Sequence, residues 1–286
     1  MKFKFIEEHL SAFPVDVSCQ VLEVSRSGYY AWSSRPRSAR ARRREELAGK
    51  IELVHEHNRR VYGSPRVCQA LRAQGESVCE NTVADIMKQR QIRAKSKRKF
   101  VPRTTDSAHQ QPLADNVLDR QFHAPLPDQE WAADITYIPT GEGWLYPAGV
   151  IDLCSRRIVG WSMADHLRVE LVTDALTMAV ARRRPEEGLL HHSDRGVQYA
   201  SEDYMHLLQS NKLKASMSGK GDCWDNAVTE SFWATLKNEL VNHERYAMRE
   251  EARASIFEYI EVFYNRKRLH SSLGYVSPET FEASLN

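Results

Sequence analysis

Residues 131–138 read Trp131-Ala132-Ala133-Asp134-Ile135-Thr136-Tyr137-Ile138, apolar, β-branched or aromatic everywhere except at Asp134. Such a run predicts a strand buried on both faces. A carboxylate in its middle is costly to bury unless something compensates the charge. Any fold built on this strand must therefore compensate the charge at Asp134. Metal ions, held jointly with the further carboxylates Asp194 and Glu230, are read as that compensation.

The chain has 286 residues, of which 42% are hydrophobic and 27% charged. That length supports two or three domains with a sizeable core. No apolar run approaches the roughly 20 residues needed to span a bilayer. The start, Met1-Lys2-Phe3-Lys4-Phe5, lacks the apolar stretch and cleavage site of a secretory signal. Cys19, Cys68, Cys79, Cys154 and Cys223 are scattered without a CxxC pair. This argues against a zinc site or a disulfide framework, and for a reducing cytoplasm. The net charge of +2 hides a split. Residues 1–105 hold 22 Lys and Arg against 11 Asp and Glu, and the rest hold 18 against 27. A basic arm for a polyanion joined to an acidic body fits that split.

In chain order, residues 1–44 predict two short helices around a tight turn, the second capped by Ser25, followed by an Arg-rich linker with Arg42, Arg43 and Arg44. The helices fit a helix-turn-helix with Arg26 near a major groove. They fit equally a three-helix packing unit in which Tyr29, Tyr30 and Trp32 are core. The arginines suit phosphate contact or a solvated tether. Residues 45–100 predict a second helix-turn-helix-like unit. Ser64 and Pro65 open one of its helices, Gly75 closes that helix, and the basic tail Lys97, Arg98 and Lys99 follows. Residues 101–127 are Pro-rich and predict an extended linker. Residues 128–245 alternate strands and helices, predicting an α/β sheet with a leading antiparallel meander. Pro147 there implies that its strand starts late or bulges. Residues 246–286 predict helix. Ile256, Tyr259, Ile260, Phe263 and Tyr264 line one face, and a basic end at 265–272 is a candidate phosphate contact.

Phosphoryl transfer on DNA suits carboxylates that hold two metal ions against the attacking and leaving oxygens. Mg²⁺ prefers oxygen ligands and keeps several waters, so a few carboxylates suffice. Asp194 follows a short predicted strand, with Gly196 permitting a sharp exit. Glu230 lies near the start of a predicted helix, with Asn226 and Lys237 on the same face. Taken singly, each has an ordinary reading: turn chemistry for Asp194, a helix-dipole partner for Glu230, plain surface for Lys237. Asp152, Asp165, Asp222 and Asp225 compete with them.

Glu230 follows Asp194 with 35 residues between them (195–229), and Lys237 lies seven beyond Glu230. With Asp134, this resembles the DDE signature of retroviral-integrase-type recombinases. Four further stretches carry a narrower resemblance: Trp131-Ala132-Ala133-Asp134-Ile135-Thr136-Tyr137; His192-Ser193-Asp194-Arg195-Gly196-Val197-Gln198-Tyr199; Trp224-Asp225-Asn226-Ala227 before Glu230-Ser231-Phe232; and Tyr264-Asn265-Arg266 with His270-Ser271-Ser272-Leu273-Gly274-Tyr275. Together they resemble the OrfB-type transposases of the IS-three group of bacterial insertion sequences, over nearly the whole chain. The resemblance implies an α/β fold: an RNase H-like integrase core with a mixed five-stranded sheet, behind all-α helix-turn-helix units. It implies 3′-end cleavage and strand transfer with two Mg²⁺ or Mn²⁺ ions held by Asp134, Asp194 and Glu230. Lys237, Asn226 and Trp224 would contact DNA. The implied partners are the terminal inverted repeats, target DNA, further copies in a dimer or larger, and an upstream-frame OrfA-type protein or fusion. The implied place of work is the bacterial cytoplasm, at the nucleoid. The zinc-binding His/Cys domain of retroviral integrases has no counterpart here. A catalytically silent DNA-binding regulator and a general RNase H-like nuclease are the alternatives.

Overall fold

The run at 131–138 is two strands, not one. The computed structural model describes residues 1–36, 38–95, 114–118, 124–219 and 226–285. In it β1 (Glu130–Ile135) ends before Thr136, and the short β2 (Ile138–Thr140) follows. Both pair with one long partner, β3 (Gly143–Asp152), which doubles back antiparallel into β4 (Ile158–Ala164). Thr136 donates its N–H to the Pro147 carbonyl at 2.8 Å. The N–H that Pro147 lacks would face the same gap between β1 and β2, so β3 runs straight through the proline. The irregularity expected at Pro147 lies instead between Val150 and Ile151.

β1 then pairs in parallel with β5 (Leu190–Ser193), and β5 with β6 (Lys214–Met217). The main sheet thus runs β4-β3-β1-β5-β6, five mixed strands as expected, with β2 extending one end. The crossovers are α7 (Val169–Arg183) and α8 (Glu202–Ser210). α9 (Ala227–Glu239) covers the opposite face, and α10 (Arg249–Glu258) and α11 (Pro278–Ala283) complete the chain. Alternation along β1 sorts its side chains. Trp131 and Ala133 join the core under α7 and α8, while Ala132 faces the core under α9. Residues 114–118 of the Pro-rich linker are laid on this body. The backbone N–H groups of Val117 and Leu118 donate to Ser216 Oγ, and Leu118 is buried.

Two strand glycines set how closely helices approach. A Cβ on Gly160 would lie 2.2 Å from the Ala175 carbonyl of α7, and one on Gly149 would lie 3.0 Å from the Trp233 ring of α9. Isolated glycines in strands mark such contacts.

Ahead of the sheet, α1 (Lys2–Glu8), α2 (Val15–Val21) and α3 (Arg26–Ser33) close on Ile6, Cys19 and Tyr29. Ser25 caps α3 by accepting the Gly28 N–H. The Arg-rich run is a helix rather than a linker from Ala39 onward. α4 (Ala39–His57) starts on a Ser38 cap, and the division drawn at residue 44 falls inside it. Two of its arginines are held by partners on the same unit: Arg43 pairs with Glu46 and Glu76, and Arg44 bonds Gln89. α5 (Ser64–Ala73) and α6 (Glu80–Gln89) complete this second helical unit. Gly75, at φ +86°, ends α5 as expected.

That second unit is fastened to the body by a buried charge cluster. Arg268 and Glu239 are both buried and paired bidentately at 2.7 and 2.8 Å. Tyr259 donates to the same carboxylate, and Arg66 of α5 reaches it at 3.7 Å. Tyr62 Oη accepts the Leu269 N–H, and Arg66 donates to the Leu269 carbonyl. Burial works against the Arg268 charge, but hydrogen bonding to Glu239 and the attraction of its charge together hold the guanidinium above its usual range. The basic end at 265–272 is therefore structural at Arg268. The predicted apolar face is core as read, although its last turns, Tyr259–Tyr264, are π-helical. Arg268→Ala should cost about 3–5 kcal/mol in urea unfolding, because it strands the Glu239 carboxylate. Replacing Arg268 and Glu239 together by Met should recover most of that loss.

Candidate active site

The same alternation that sorts the core places the carboxylates. Ala132 pairs with His192 across β1 and β5, so Asp134 and Asp194, each two residues further on, follow the same side. This is the α9 face. Asp134 sits opposite Gly149 on β3, and Gly149 admits Trp233. Trp233 lies three residues after Glu230 and four before Lys237, so seating its ring lays that helix face over Asp134. Asn226 fixes the start of α9: its Nδ2 donates to the Ala133 carbonyl at 3.3 Å, and its Oδ1 accepts from Thr229 at 2.5 Å.

Asp194 stands just past the end of β5. Its Oδ1 accepts the Gly196 N–H at 2.8 Å, and a Cβ on Gly196 would lie 2.9 Å from that oxygen. The turn is braced by Arg195 Nε, which donates to the Ser218 carbonyl at 2.5 Å, and by His192, whose ring contacts Ser216 and Ser218. Turn chemistry and a place in the acidic site thus coincide in Asp194.

The electrostatics join the groups. Enclosure pushes the Asp134 carboxyl well above the ordinary range, and the Asp194 and Glu230 charges push the same way, against Lys237. Glu230 is raised by burial and by Asp194. Lys237 is lowered by burial, with Asp134 opposing. Its Nζ lies 4.4 Å from the centroid of the Tyr137 ring. Among the described residues, no three acidic, His or Cys side chains already surround a single ion position. The cluster is an open set of hard oxygens, which suits an ion that keeps several waters and takes one or two carboxylates.

The other candidates separate from it. Asp152 is fully buried in the β3–β4 turn, accepting from the backbone of Asp128, Cys154 and Ser155. Asp165 is exposed. Asn226 is buried and bonded inward, away from a DNA contact. Arg26 is paired with Asp16 at 2.7 Å. Arg42 is exposed, with no ion pair among the described residues. Trp224, Asp222, Asp225, Lys97, Arg98 and Lys99 lie outside the described residues. Sequence reasoning missed Gly149, Trp233 and Tyr137 as parts of the site. Gly149 carried a legible signal, a lone glycine inside a strand pattern.

A sheet of this order, with Asp134 on β1, Asp194 just past β5 and Glu230 on the covering helix α9, is that of an integrase-type core. Residues 124–223 match the integrase core domain family, residues 211–278 match a second family of that description, and residues 42–100 match an HTH-like domain. The chain is 44% identical over 284 residues to the transposase InsF for insertion sequence IS3A of Escherichia coli (strain K12), covering 99% of this chain and 98% of that one. It is 46% identical over 263 residues to the insertion element IS600 uncharacterized 31 kDa protein of Shigella sonnei, covering 92% and 96%. Among solved structures, the HTLV-2 integrase catalytic core domain in complex with magnesium is similar at a TM-score of 0.43 and 14% identity, covering 55% of this chain and 98% of that one. The chain belongs to the IS3-family transposases. It is a DNA transposase, a polynucleotidyl transferase that depends on divalent metal. No described helix is long and apolar enough to cross a membrane.

Two predictions follow from this geometry. Because folding raises the Asp134 pKa, the metal-free native state binds more protons than the unfolded chain above the ordinary aspartate range. Its contribution to stability is therefore present at low pH and is lost as pH rises. Asp134→Asn should raise the metal-free Tm at pH 8 more than at pH 5 and diminish the Tm gain on adding Mg²⁺. Gly149→Val should displace Trp233, costing about 1–3 kcal/mol of stability and lowering strand transfer beyond the loss of folded protein.

Proposed function

We propose that Asp134, Asp194 and Glu230 are the catalytic carboxylates and hold two Mg²⁺ or Mn²⁺ ions. The observation that carries this is an arrangement: Asp134 and Asp194 lie on one side of neighbouring strands, and Glu230 lies on the helix whose Trp233 packs at Gly149, the cross-strand partner of Asp134, so that Asp194 and Glu230 both act on the Asp134 carboxyl. Bound ions would supply Lewis-acid stabilisation of the attacking and leaving oxygens of an in-line displacement. The chain's own groups do the rest. Asp134 and Asp194 present oxygens from rigid strand ends. Glu230 presents one from α9, held in place by Trp233 and Asn226. Lys237, seated on Tyr137, offers a cation to the phosphate next to the one that reacts. The reaction is 3′-end cleavage of insertion-sequence ends followed by joining of the freed hydroxyl to target DNA.

Division of labour follows the charge split. The helical units before residue 100 hold DNA, through Arg42 and the basic tail Lys97, Arg98 and Lys99. Arg43 and Arg44 contribute less, since both serve internal bonds. Residues 128–245 carry the chemistry, and residues 246–286 join the two. Pairing of two element ends calls for a dimer or larger, and an upstream-frame OrfA-type protein or fusion supplies further end recognition. The work takes place in the bacterial cytoplasm, at the nucleoid.

In an assay with labelled element ends and Mg²⁺, Asp134→Ala and Glu230→Ala should lower joining more than about a thousandfold, some 4 kcal/mol of barrier. End binding by gel shift should persist. Undiminished joining by both variants would remove the triad from catalysis. Metal-dependent cleavage of RNA–DNA hybrids without end preference would favour a general nuclease.

A further inference from the structure

Beside the acidic site the chain exposes an indole. Trp144 stands on the β2–β3 hairpin with 48% of its surface open to solvent. Its ring meets the half-buried Tyr137 edge-on, centroids 5.1 Å apart at 88°. Tyr137 in turn lies under Lys237, whose charge is felt at Asp134. Carboxylates, lysine, phenol and indole thus form a continuous row leading outward from the site.

The hairpin that presents Trp144 is braced. Gly141 donates its N–H to the Tyr246 carbonyl, and a Cβ there would lie 2.5 Å from the Ala247 carbonyl. Arg249, at the start of α10, donates its backbone N–H to Glu142 Oε2. Its side chain donates to the carbonyls of Trp144 and Glu142 at 3.1 and 2.8 Å. An exposed aromatic on a mobile loop would lose entropy on binding, whereas this one is already ordered. Packing within the hairpin accounts for an indole at this position, but not for bracing it with half its surface open.

We propose that Trp144, backed by Tyr137, is a stacking platform for an unpaired nucleobase of the DNA strand whose phosphate enters the acidic site. The inference rests on the reading of that site as catalytic. A strand end must fray to bring a backbone phosphate to enclosed carboxylates, and the freed base needs a surface. Aromatic faces accept any base, so the platform favours frayed ends over paired ones without reading sequence. Lys237 beside it neutralises the adjoining phosphate.

The test uses the full chain with a DNA duplex that ends in a short unpaired 3′ tail, its first unpaired base being 2-aminopurine, against the blunt duplex. Native protein should quench 2-aminopurine and prefer the tailed duplex. Trp144→Ala should abolish the quenching and reduce the preference about tenfold, while Trp144→Phe retains both. Unchanged quenching and preference in Trp144→Ala would overturn the platform. So would an altered molecular mass in sedimentation with quenching intact, since the indole would then join copies of the chain. The signal requires no strand joining, so Asp134→Ala assayed for joining judges the catalytic reading separately.

Discussion

The acidic site depends on one close approach. α9 comes into contact with the sheet where β3 has no side chain, and Trp233 occupies the space left at Gly149. Gly149 is the cross-strand partner of Asp134. The contact that positions the helix and the carboxylate that needs the helix's groups are thus one residue pair apart. Glu230 and Lys237 flank Trp233 along the same face, so packing energy is what holds a carboxylate and an amine beside an already enclosed Asp134. Repulsion among the carboxylates is tolerated because an apolar contact, not an electrostatic one, sets the geometry.

Much of this was legible in the chain. An apolar, β-branched run located the first strand, an alternation of element types located the sheet, and helical spacing located the apolar face at 256–264. What failed did so for local reasons. The strand at 131–138 breaks at Thr136 because its partner carries Pro147, a pairing invisible before the register is known. The Arg-rich run resembles a tether by composition, yet Ser38 caps it and Glu46 and Glu76 pair with it, so it is helix. The basic end at 265–272 looked like a phosphate contact. Arg268 is instead buried against Glu239, a partner 29 residues away that no spacing rule connects to it. The triad was legible as spacing, but each carboxylate had an ordinary reading until the fold brought the three to one face.

At Asp134 an ionisable side chain sits where the fold disfavours its charge. Its enclosure, and the neighbours that share it, disfavour the ionised form. A neutral side chain of similar shape would sit there more comfortably, as is common at sites arranged for a charged ligand. Asp152, fully buried where Asp134 is only partly so, shows the contrast. It is surrounded by backbone and hydroxyl donors, so its burial is satisfied within the chain. Two aspartates in one sheet thus differ in whether the protein itself completes their bonding.

α9 carries Glu230 in its first turn and Glu239 at its last residue. Thirteen helical residues span about 20 Å, so a single rigid rod joins the acidic site to the charge cluster that grips Arg66 of the second helical unit. Any tilt of that unit on DNA would be felt at the far end of the rod. A clamp that merely fastens two parts together is, in this position, also a mechanical linkage between the second helical unit and the carboxylate facing Asp134.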